Sequence, residues 1–354
     1  MNEQYKNKNV INGILDGFIH KPGVHCITSA LRDVFEFHGF NLSEEMLFGL
    51  GSGLSLGYIN MRGTPDPILG GRSRNPEDIA CKRLGVGVKK FTTDNPEEGW
   101  LRLKQRLNKG IPSMILIDMA YLPYQDLPED YHFGQHGIAV CGYNAEKDVV
   151  LVSDTAFEEF QEVSTENLMK GRSSTVSKWM DPRNMIYEFS FPSKLTNVNK
   201  IIPSALQQAG KNILKPSRFM SLIGITNGLK AIDKFCNDLL KWVNIPKKEL
   251  YNRCFLLAGY ISEFGTGGGA FRYLYSRFLK ECSDILDDSS LLDLSQAYSH
   301  LGDEWENLAR LFREVQEKEM KSDEFTTHFK FITKHLSDIK EFENQNAHLL
   351  VSYT

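Results

Sequence analysis

The sequence predicts an α+β protein, with a mixed domain over residues 1–195 and a helical domain over residues 196–354. Two observations carry this prediction. Strand-like apolar runs alternate with amphipathic helices up to about residue 190, whereas beyond about residue 200 the apolar residues recur only at helical spacing. The segment 191–204 lies where this pattern changes and is therefore predicted to be the boundary between the two domains.

The elements of the first domain follow from local signals. A helix begins at Cys26 and ends at Gly39, because the apolar residues after Cys26 follow helical spacing. Ser43 is suited to cap a second, short helix. The remaining predicted elements are strands over 85–93, 112–122 and 184–191, a helix over 96–110 and a β-hairpin over 136–154.

In the second domain, apolar residues repeat at helical spacing from Leu222 to Val243, and Pro246 ends that run. Further helical stretches follow near 247–265, 269–287, 290–320 and 323–343. No strand is predicted in this part of the chain.

Composition limits the classes of function. The chain has a net charge of −4 and a pI of about 6.2, so no overall positive field attracts nucleic acid. No apolar run approaches the roughly 20 residues of a membrane-spanning helix, and the polar N-terminal segment lacks the apolar core of a signal peptide. The six cysteines are widely scattered without CxxC spacing, which favours a reducing compartment. We therefore expect a soluble cytoplasmic protein that binds neither nucleic acid nor membrane.

Cys26 is the candidate nucleophile. At a helix N-terminus, unpaired backbone N–H groups and the helix dipole stabilise the thiolate, which is the reactive form of cysteine. The same N–H groups can donate to an oxyanion that forms on an attacked carbonyl. The alternative is a small buried thiol at the start of a helix, which is common in proteins.

His136 and Asp154 are the candidate base and the residue that orients it. His136 begins one strand of the predicted hairpin and Asp154 ends the other, so antiparallel pairing brings them to the same edge of the sheet. Taken alone, His136 could be a strand-end histidine held by the backbone, and Asp154 a residue that starts a turn. Together with Cys26 they form the order of a cysteine enzyme.

Two other histidines compete with His136 for the role of base. His25 is adjacent to Cys26 and does not face it, because neighbouring helical side chains point about 100° apart; we expect it to line the substrate pocket or to pack against its neighbours. His132 and His136 could bind zinc with Cys26 or Asp118, but the glycines between the two histidines disfavour the helix that this pair needs. We therefore predict no metal.

Three further segments carry hypotheses. The run "GLGSGLSLGY" over 49–58 lacks the spacing of a dinucleotide-binding loop, and we interpret it as a flexible loop. The acidic segment with Asp126, Glu129 and Asp130 precedes His136, where it could attract a cationic acceptor or simply face solvent. In "GTGGGAFR", the residues Gly267, Gly268 and Arg272 could bind an anion such as a phosphopantetheine phosphate; the alternative is a turn between closely packed helices.

The order of Cys26, His136 and Asp154 resembles that of papain-like enzymes. In those enzymes a glutamine about six residues before the nucleophile usually donates to the oxyanion. That position holds His20 here, and Gln135 is a second candidate donor.

The segments "HCITSALRDVFEFHGFNLSEEMLFGLGSGLSLGY", "HGIAVCGYNAEKDVVLVSDT" and "GTGGGAFRYLYSRFL" together resemble the butirosin biosynthesis protein H family. This resemblance implies a papain-like α+β domain followed by an all-α domain. It also implies an acyltransferase that takes an aminoacyl group from an acyl carrier protein and passes it to an aminoglycoside amine.

We therefore expect a cysteine-dependent acyltransferase with an acyl carrier protein and a small-molecule amine as partners. It needs no cofactor of its own, because the phosphopantetheine arrives on the donor. One alternative is a peptidase or amidase in which water resolves the acyl-enzyme. Another is a non-catalytic module that binds a carrier protein or a peptide. The sequence also leaves a homo-oligomer open.

Overall fold

The computed structural model describes residues 12–61, 66–128, 131–176, 180–215, 222, 225–318, 320 and 322–354. The described helices include α1 (Cys26–Phe37), α2 (Glu44–Leu50), α3 (Pro76–Leu84), α4 (Pro96–Leu107), α5 (Thr165–Arg172), α6 (Val198–Leu214), α7 (Leu229–Leu239), α8 (Lys247–Ser262), α9 (Arg272–Leu286), α10 (Ser289–Glu317) and α11 (Ser322–Ser352). The strands include β1 (Asn12–Ile14), β2 (Leu54–Ile59), β3 (Ile68–Arg72), β4 (Gly87–Phe91), β5 (Ser113–Ile117), β6 (His136–Asn144), β7 (Val149–Ser153), β8 (Gln161–Ser164), β9 (Ile186–Ser190) and β10 (Thr226–Asn227).

The chain divides into two compact units. The first contains the described residues up to Leu47 together with Gly85–Leu195, and the second contains Phe48–Leu84 together with Thr196–Thr354. The protein is therefore mixed α and β, with an N-terminal sheet region and C-terminal helices.

An antiparallel sheet forms the centre of the first unit. Its strands follow the order β4-β9-β5-β6-β7-β8, and β1 pairs with β6. All five residues of β5 are buried, and so are eight of the nine residues of β6. Such continuous burial is expected where a strand lies inside a sheet that is covered on both faces. The hairpin predicted over 136–154 is present as β6 and β7.

Helix α1 packs on β6 in this unit. Its residues Leu31, Val34 and Phe35 are fully buried, as the helical spacing of the apolar positions predicts. A Cβ atom at Gly137 would lie 2.4 Å from the side chain of Ile27, so the glycine allows the helix to approach the strand closely. Gly39 follows the helix with φ of +83°, the left-handed conformation in which glycine commonly terminates helices.

The second unit is not all-helical, which corrects the predicted fold of this part. Strands β10, β2 and β3 form a three-stranded antiparallel sheet in which Thr226 pairs with Tyr58. The hydroxyl of Ser52 also donates to the carbonyl of Ala205 at 2.9 Å. Because of these contacts the segment 48–84 belongs to the second unit, whereas the sequence places it in a first domain of residues 1–195.

Among the residues that the structure describes, no helix is long and apolar enough to cross a membrane.

Candidate active site

Cys26 is the first residue of α1, as predicted, and its side chain is half-buried. His25 occupies the N-cap position before it. All six cysteines are free thiols, but most of the five other than Cys26 are buried. Burial raises the pKa of Cys141 and Cys282, and it raises the pKa of Cys254 to about 12.

His136 lies between Cys26 and Asp154. It begins β6, where it pairs with Ile117 of β5, and the pairing of Ala139 with Ser153 brings the end of β7 alongside. The Nε2 atom of His136 lies 2.9 Å from Oδ1 and from Oδ2 of Asp154. His136 is also hydrogen-bonded to the side chain of Cys26. Because Nε2 contacts the carboxylate of Asp154, Nδ1 is the ring nitrogen that remains to contact the Cys26 thiol.

The charges of the three groups reinforce each other. Burial alone would lower the pKa of His136, but the Asp154 carboxylate and the Cys26 thiolate favour the imidazolium and raise the pKa to about 10. Burial would raise the pKa of Asp154, yet the charge and hydrogen bond of His136 hold it below its ordinary value. The imidazolium form of His136 is therefore favoured at neutral pH, next to the side chain of Cys26.

Asp154 has additional partners that the sequence analysis missed. The hydroxyl of Tyr124 and the side-chain amide of Gln125 donate to its Oδ2 atom at 2.9 and 2.8 Å, and the N–H of Thr155 donates to Oδ1 at 2.7 Å. Tyr124 and Gln125 lie in a single 3₁₀ turn, Pro123–Gln125. Nothing in that short polar segment marks it in the sequence as a support for Asp154.

The segment directly before Cys26 is anchored residue by residue. Arg32 of α1 donates to the carbonyls of Lys21 and Pro22. The N–H of Gly23 donates to the carbonyl of Thr155 at 2.8 Å. Because Thr155 follows Asp154, this bond connects the turn before Cys26 to the residue after Asp154.

His20, a predicted oxyanion donor, is part of this anchoring. Its Nδ1 atom lies 2.7 Å from Oδ2 of Asp33, and its Nε2 atom lies 2.8 Å from the carbonyl of Phe157. Burial lowers the pKa of His20, but Asp33 and Phe157 raise it, and the net pKa lies above the ordinary value. Both N–H groups are therefore directed at Asp33 and Phe157. The other predicted donor, Gln135, donates to the carbonyl of Asp181 at 3.3 Å.

His132 belongs to a separate cluster. Its Nδ1 atom lies 2.8 Å from Oδ2 of the buried Asp118, which also accepts from the Ser174 hydroxyl at 2.7 Å. The four residues considered for zinc are thus divided between two clusters, one with His132 and Asp118 and the other with His136 and Cys26. Within the described ranges, no group of three or more His, Cys, Asp or Glu residues could hold a metal ion.

The substrate-binding residues that were predicted in the first unit differ in their exposure to solvent. His25 is buried, with its Nδ1 atom 2.9 Å from the hydroxyl of Thr28. Asp126 is exposed and adopts the left-handed conformation, with φ of +48°. Glu129 and Asp130 lie outside the described residues.

The glycine-rich segment of the second unit does not present an anion site. Arg272 is fully buried, forms a 2.8 Å ion pair with Glu343, and donates to the carbonyls of Ser55 and Ala270. The N–H of Gly268 donates to Thr266 at 3.1 Å. Because its N–H groups donate to these partners, Arg272 does not bind a phosphate as predicted. The segment is instead the turn between closely packed helices that was the alternative.

A close approach between helices explains the glycines of this segment. A Cβ atom at Gly269 would lie 2.6 Å from the Cα atom of Gly302 in α10, and the N–H of Gly269 donates to Glu306 at 2.6 Å. Gly267 and Gly268 both have positive φ angles, of +66° and +83°, which glycine adopts without strain.

Comparison with known families agrees with the resemblance that the sequence motifs suggest. No curated protein matches the chain. Residues 166–350 match a domain of unknown function, DUF4872. Residues 25–155, which contain Cys26, His136 and Asp154, match the family described as "Butirosin biosynthesis protein H, N-terminal". The chain therefore belongs to the family that carries the DUF4872 domain, and its residues 25–155 are similar to the N-terminal domain of butirosin biosynthesis protein H.

Proposed function

We propose that the protein is a cysteine-dependent acyltransferase of a biosynthetic pathway, in which Cys26 is the nucleophile, His136 the acid and base, and Asp154 the orienting carboxylate. The observation that carries this proposal is the hydrogen-bonded series Cys26–His136–Asp154 at the N-terminus of a helix. A nucleophile, a base and a carboxylate that orients the base are the parts that covalent acyl transfer needs. The papain-like architecture is part of the same proposal.

The first half-reaction acylates the enzyme. The Cys26 thiolate attacks the carbonyl of a carrier-bound thioester, and the backbone N–H groups at the start of α1 donate to the oxyanion. The bond from the carbonyl carbon to the pantetheine sulfur then breaks, and the imidazolium of His136 gives its proton to the departing thiolate. An acyl–Cys26 thioester and neutral His136 result.

The second half-reaction transfers the acyl group to an amine. The acceptor amine attacks the acyl–Cys26 carbonyl, the carbon–sulfur bond to Cys26 breaks, and His136 takes the proton that the amine loses. The family name favours a specialised-metabolite pathway and an acceptor with primary amines, such as an aminoglycoside. The carrier protein supplies the phosphopantetheine, so the enzyme requires no cofactor. The six free cysteines fit a reaction in the reducing cytoplasm.

Intact-protein mass spectrometry tests the proposal. The protein is incubated with an acyl carrier protein that is charged with an amino acid, with and without the aminoglycoside neamine. We expect one acyl adduct per chain that is absent in Cys26→Ala and present in Cys236→Ala, whose thiol is also half-buried. Absence of the adduct, or an adduct on Cys236, would contradict the nucleophile assignment. Free acid in place of an amide would indicate a hydrolase.

A further inference from the structure

We propose that Glu44 is a positioning residue for Cys26: its buried carboxylate holds the turn before the nucleophile and, through Thr28, the ring of His25. The inference rests on the proposed role of Cys26 as the nucleophile. Glu44 is the first residue of α2 and is 4% exposed. It is one of the buried charged residues that do not belong to the hydrogen-bonded series Cys26–His136–Asp154.

The contacts of Glu44 converge on the start of α1. Its Oε2 atom accepts from the N–H of Val24 at 3.0 Å. Its Oε1 atom accepts from the N–H of His25 at 2.7 Å and from the hydroxyl of Thr28 at 2.9 Å. All three donors therefore lie within two residues of Cys26.

The turn itself is shaped to receive this carboxylate. A Cβ atom at Gly23 would lie 2.6 Å from Oε2 of Glu44 and 2.5 Å from the Cβ atom of Ser29. Real Cβ atoms do not approach other atoms so closely, so only glycine fits here. The carboxylate and the turn are thus packed in direct contact.

Burial of a carboxylate is unfavourable unless hydrogen bonds compensate for the lost water. Burial raises the pKa of Glu44, and the hydrogen bonds from Val24, His25 and Thr28 oppose this effect. The compensation thus comes from the residues that flank Cys26. A neutral apolar residue at position 44 would avoid the desolvation, but it would leave these backbone N–H groups without their acceptor.

Thr28 also connects Glu44 to the ring of His25. Its hydroxyl lies 2.9 Å from Oε1 of Glu44 and 2.9 Å from Nδ1 of His25, and its backbone N–H donates to the same Nδ1 atom at 3.4 Å. Glu44 therefore contacts the backbone of the residue that precedes the nucleophile directly and its ring through Thr28.

The pH profile of Cys26 alkylation by iodoacetamide tests this inference without any acyl donor. In the unmodified protein the thiolate–imidazolium pair should keep Cys26 reactive near pH 6. We expect Glu44→Ala to loosen the turn and separate Cys26 from His136, so that the profile becomes that of an ordinary thiol. The rate near pH 6 should then fall about tenfold or more, whereas the rate near pH 10 should change little.

Three comparisons separate positioning from other effects. Glu44→Gln keeps an oxygen for His25 and Thr28, so its low-pH rate should stay within about threefold of the original. Thr28→Val removes one of the three donors and provides a milder test should Glu44→Ala fold poorly; it should lower the low-pH rate by about threefold. Glu45→Ala, the adjacent residue of α2, is the matched control and should leave the profile unchanged.

The outcomes distinguish this inference from the proposed function. An unchanged profile in Glu44→Ala and Thr28→Val, with or without a lower melting temperature, would overturn the positioning role. A faster low-pH reaction in Glu44→Gln would show that Glu44 acts only as a repelling charge, which also overturns it. An ordinary thiol profile in the unmodified protein would instead contradict the proposed function.

Discussion

The Nε2 atom of His136 lies 2.9 Å from each carboxylate oxygen of Asp154. This forked contact fixes the direction of the imidazole ring and assigns Nδ1 to Cys26. Because Tyr124 and Gln125 also donate to Oδ2 of this carboxylate, the carboxylate and the ring it contacts are oriented before any substrate arrives. Such preorganisation lowers the reorganisation that the reaction would otherwise require.

Cys26 should be the first cysteine that a limiting amount of iodoacetamide modifies near neutral pH. Its thiol is half-buried and hydrogen-bonded to His136, whereas burial raises the pKa of the half-buried Cys236 thiol to about 11. Peptide mapping after brief labelling measures the order of modification. Earlier modification of Cys236 would remove the basis for the nucleophile assignment.

His136→Ala should lower acyl transfer at least as much as Asp154→Asn, by about 10²–10⁴-fold. The base transfers the proton itself, whereas the carboxylate acts through the base. His132→Ala is the matched control, because His132 pairs with Asp118 and should matter less. Single-turnover rates with a charged carrier protein measure all three. A greater loss in His132→Ala would assign the base to the other His–Asp pair.

The stability that His136 contributes should decline from about pH 6.5 to about pH 10. The folded-state pKa of His136 is raised from 6.5 to about 10 by Asp154 and Cys26, although burial opposes this. The imidazolium is therefore stabilised by folding: its full contribution is present below the unfolded pKa and is lost as the pH rises through the folded pKa. Urea unfolding of the unmodified protein and of His136→Ala should show a difference in unfolding free energy that shrinks with rising pH. A difference that grows with pH would contradict the ion pair.

Tyr124→Phe should lower acyl transfer by about fivefold, because it removes one of the donors that fix the Asp154 carboxylate. Tyr143→Phe is the matched control. The hydroxyl of Tyr143 donates to Asp148, away from the catalytic series, at 3.0 Å. Both variants are compared by single-turnover acylation of Cys26. Equal rates in the two variants would show that Gln125 and Thr155 hold Asp154 without the tyrosine.

Arg272→Ala should lower stability rather than catalysis. Removing the arginine leaves the buried Glu343 carboxylate without its ion pair, and breaking such a pair costs about 3–5 kcal/mol. The exposed Arg277 of the same helix is the control, and Arg277→Ala should be nearly neutral. Urea unfolding measures both variants. A stable Arg272→Ala variant with slow acylation would restore the anion-binding hypothesis.

The parts that sequence reasoning predicted well are those that local signals determine. Helical spacing predicted α1, and the hairpin with a turn near Asn144 predicted the register that brings His136 to Asp154. Each of these rests on residues close together in the chain. The resemblance to a known family added the domain order but not the contacts.

What the sequence did not reveal depends on tertiary contacts. Helix α6 contains Pro203, which lies in the segment 191–204 that the sequence predicts as a domain boundary. Strand β3 contains glycines; at Gly71 a Cβ atom would lie 2.3 Å from the carbonyl oxygen of Ala270. Glu44 looks like an ordinary acidic residue at a helix start, and only the folded turn shows what it holds.

The interleaving of the two units has a consequence for how the chain emerges from the ribosome. Residues 48–84 are synthesised early, yet β10 and α6, with which they pack, are synthesised only after the whole first unit. During translation, the apolar residues of β2 and α3 therefore lack their final packing partners until α6 and β10 have been synthesised. A nascent chain in that state exposes unpaired strand edges, which are prone to aggregate until the C-terminal half is complete.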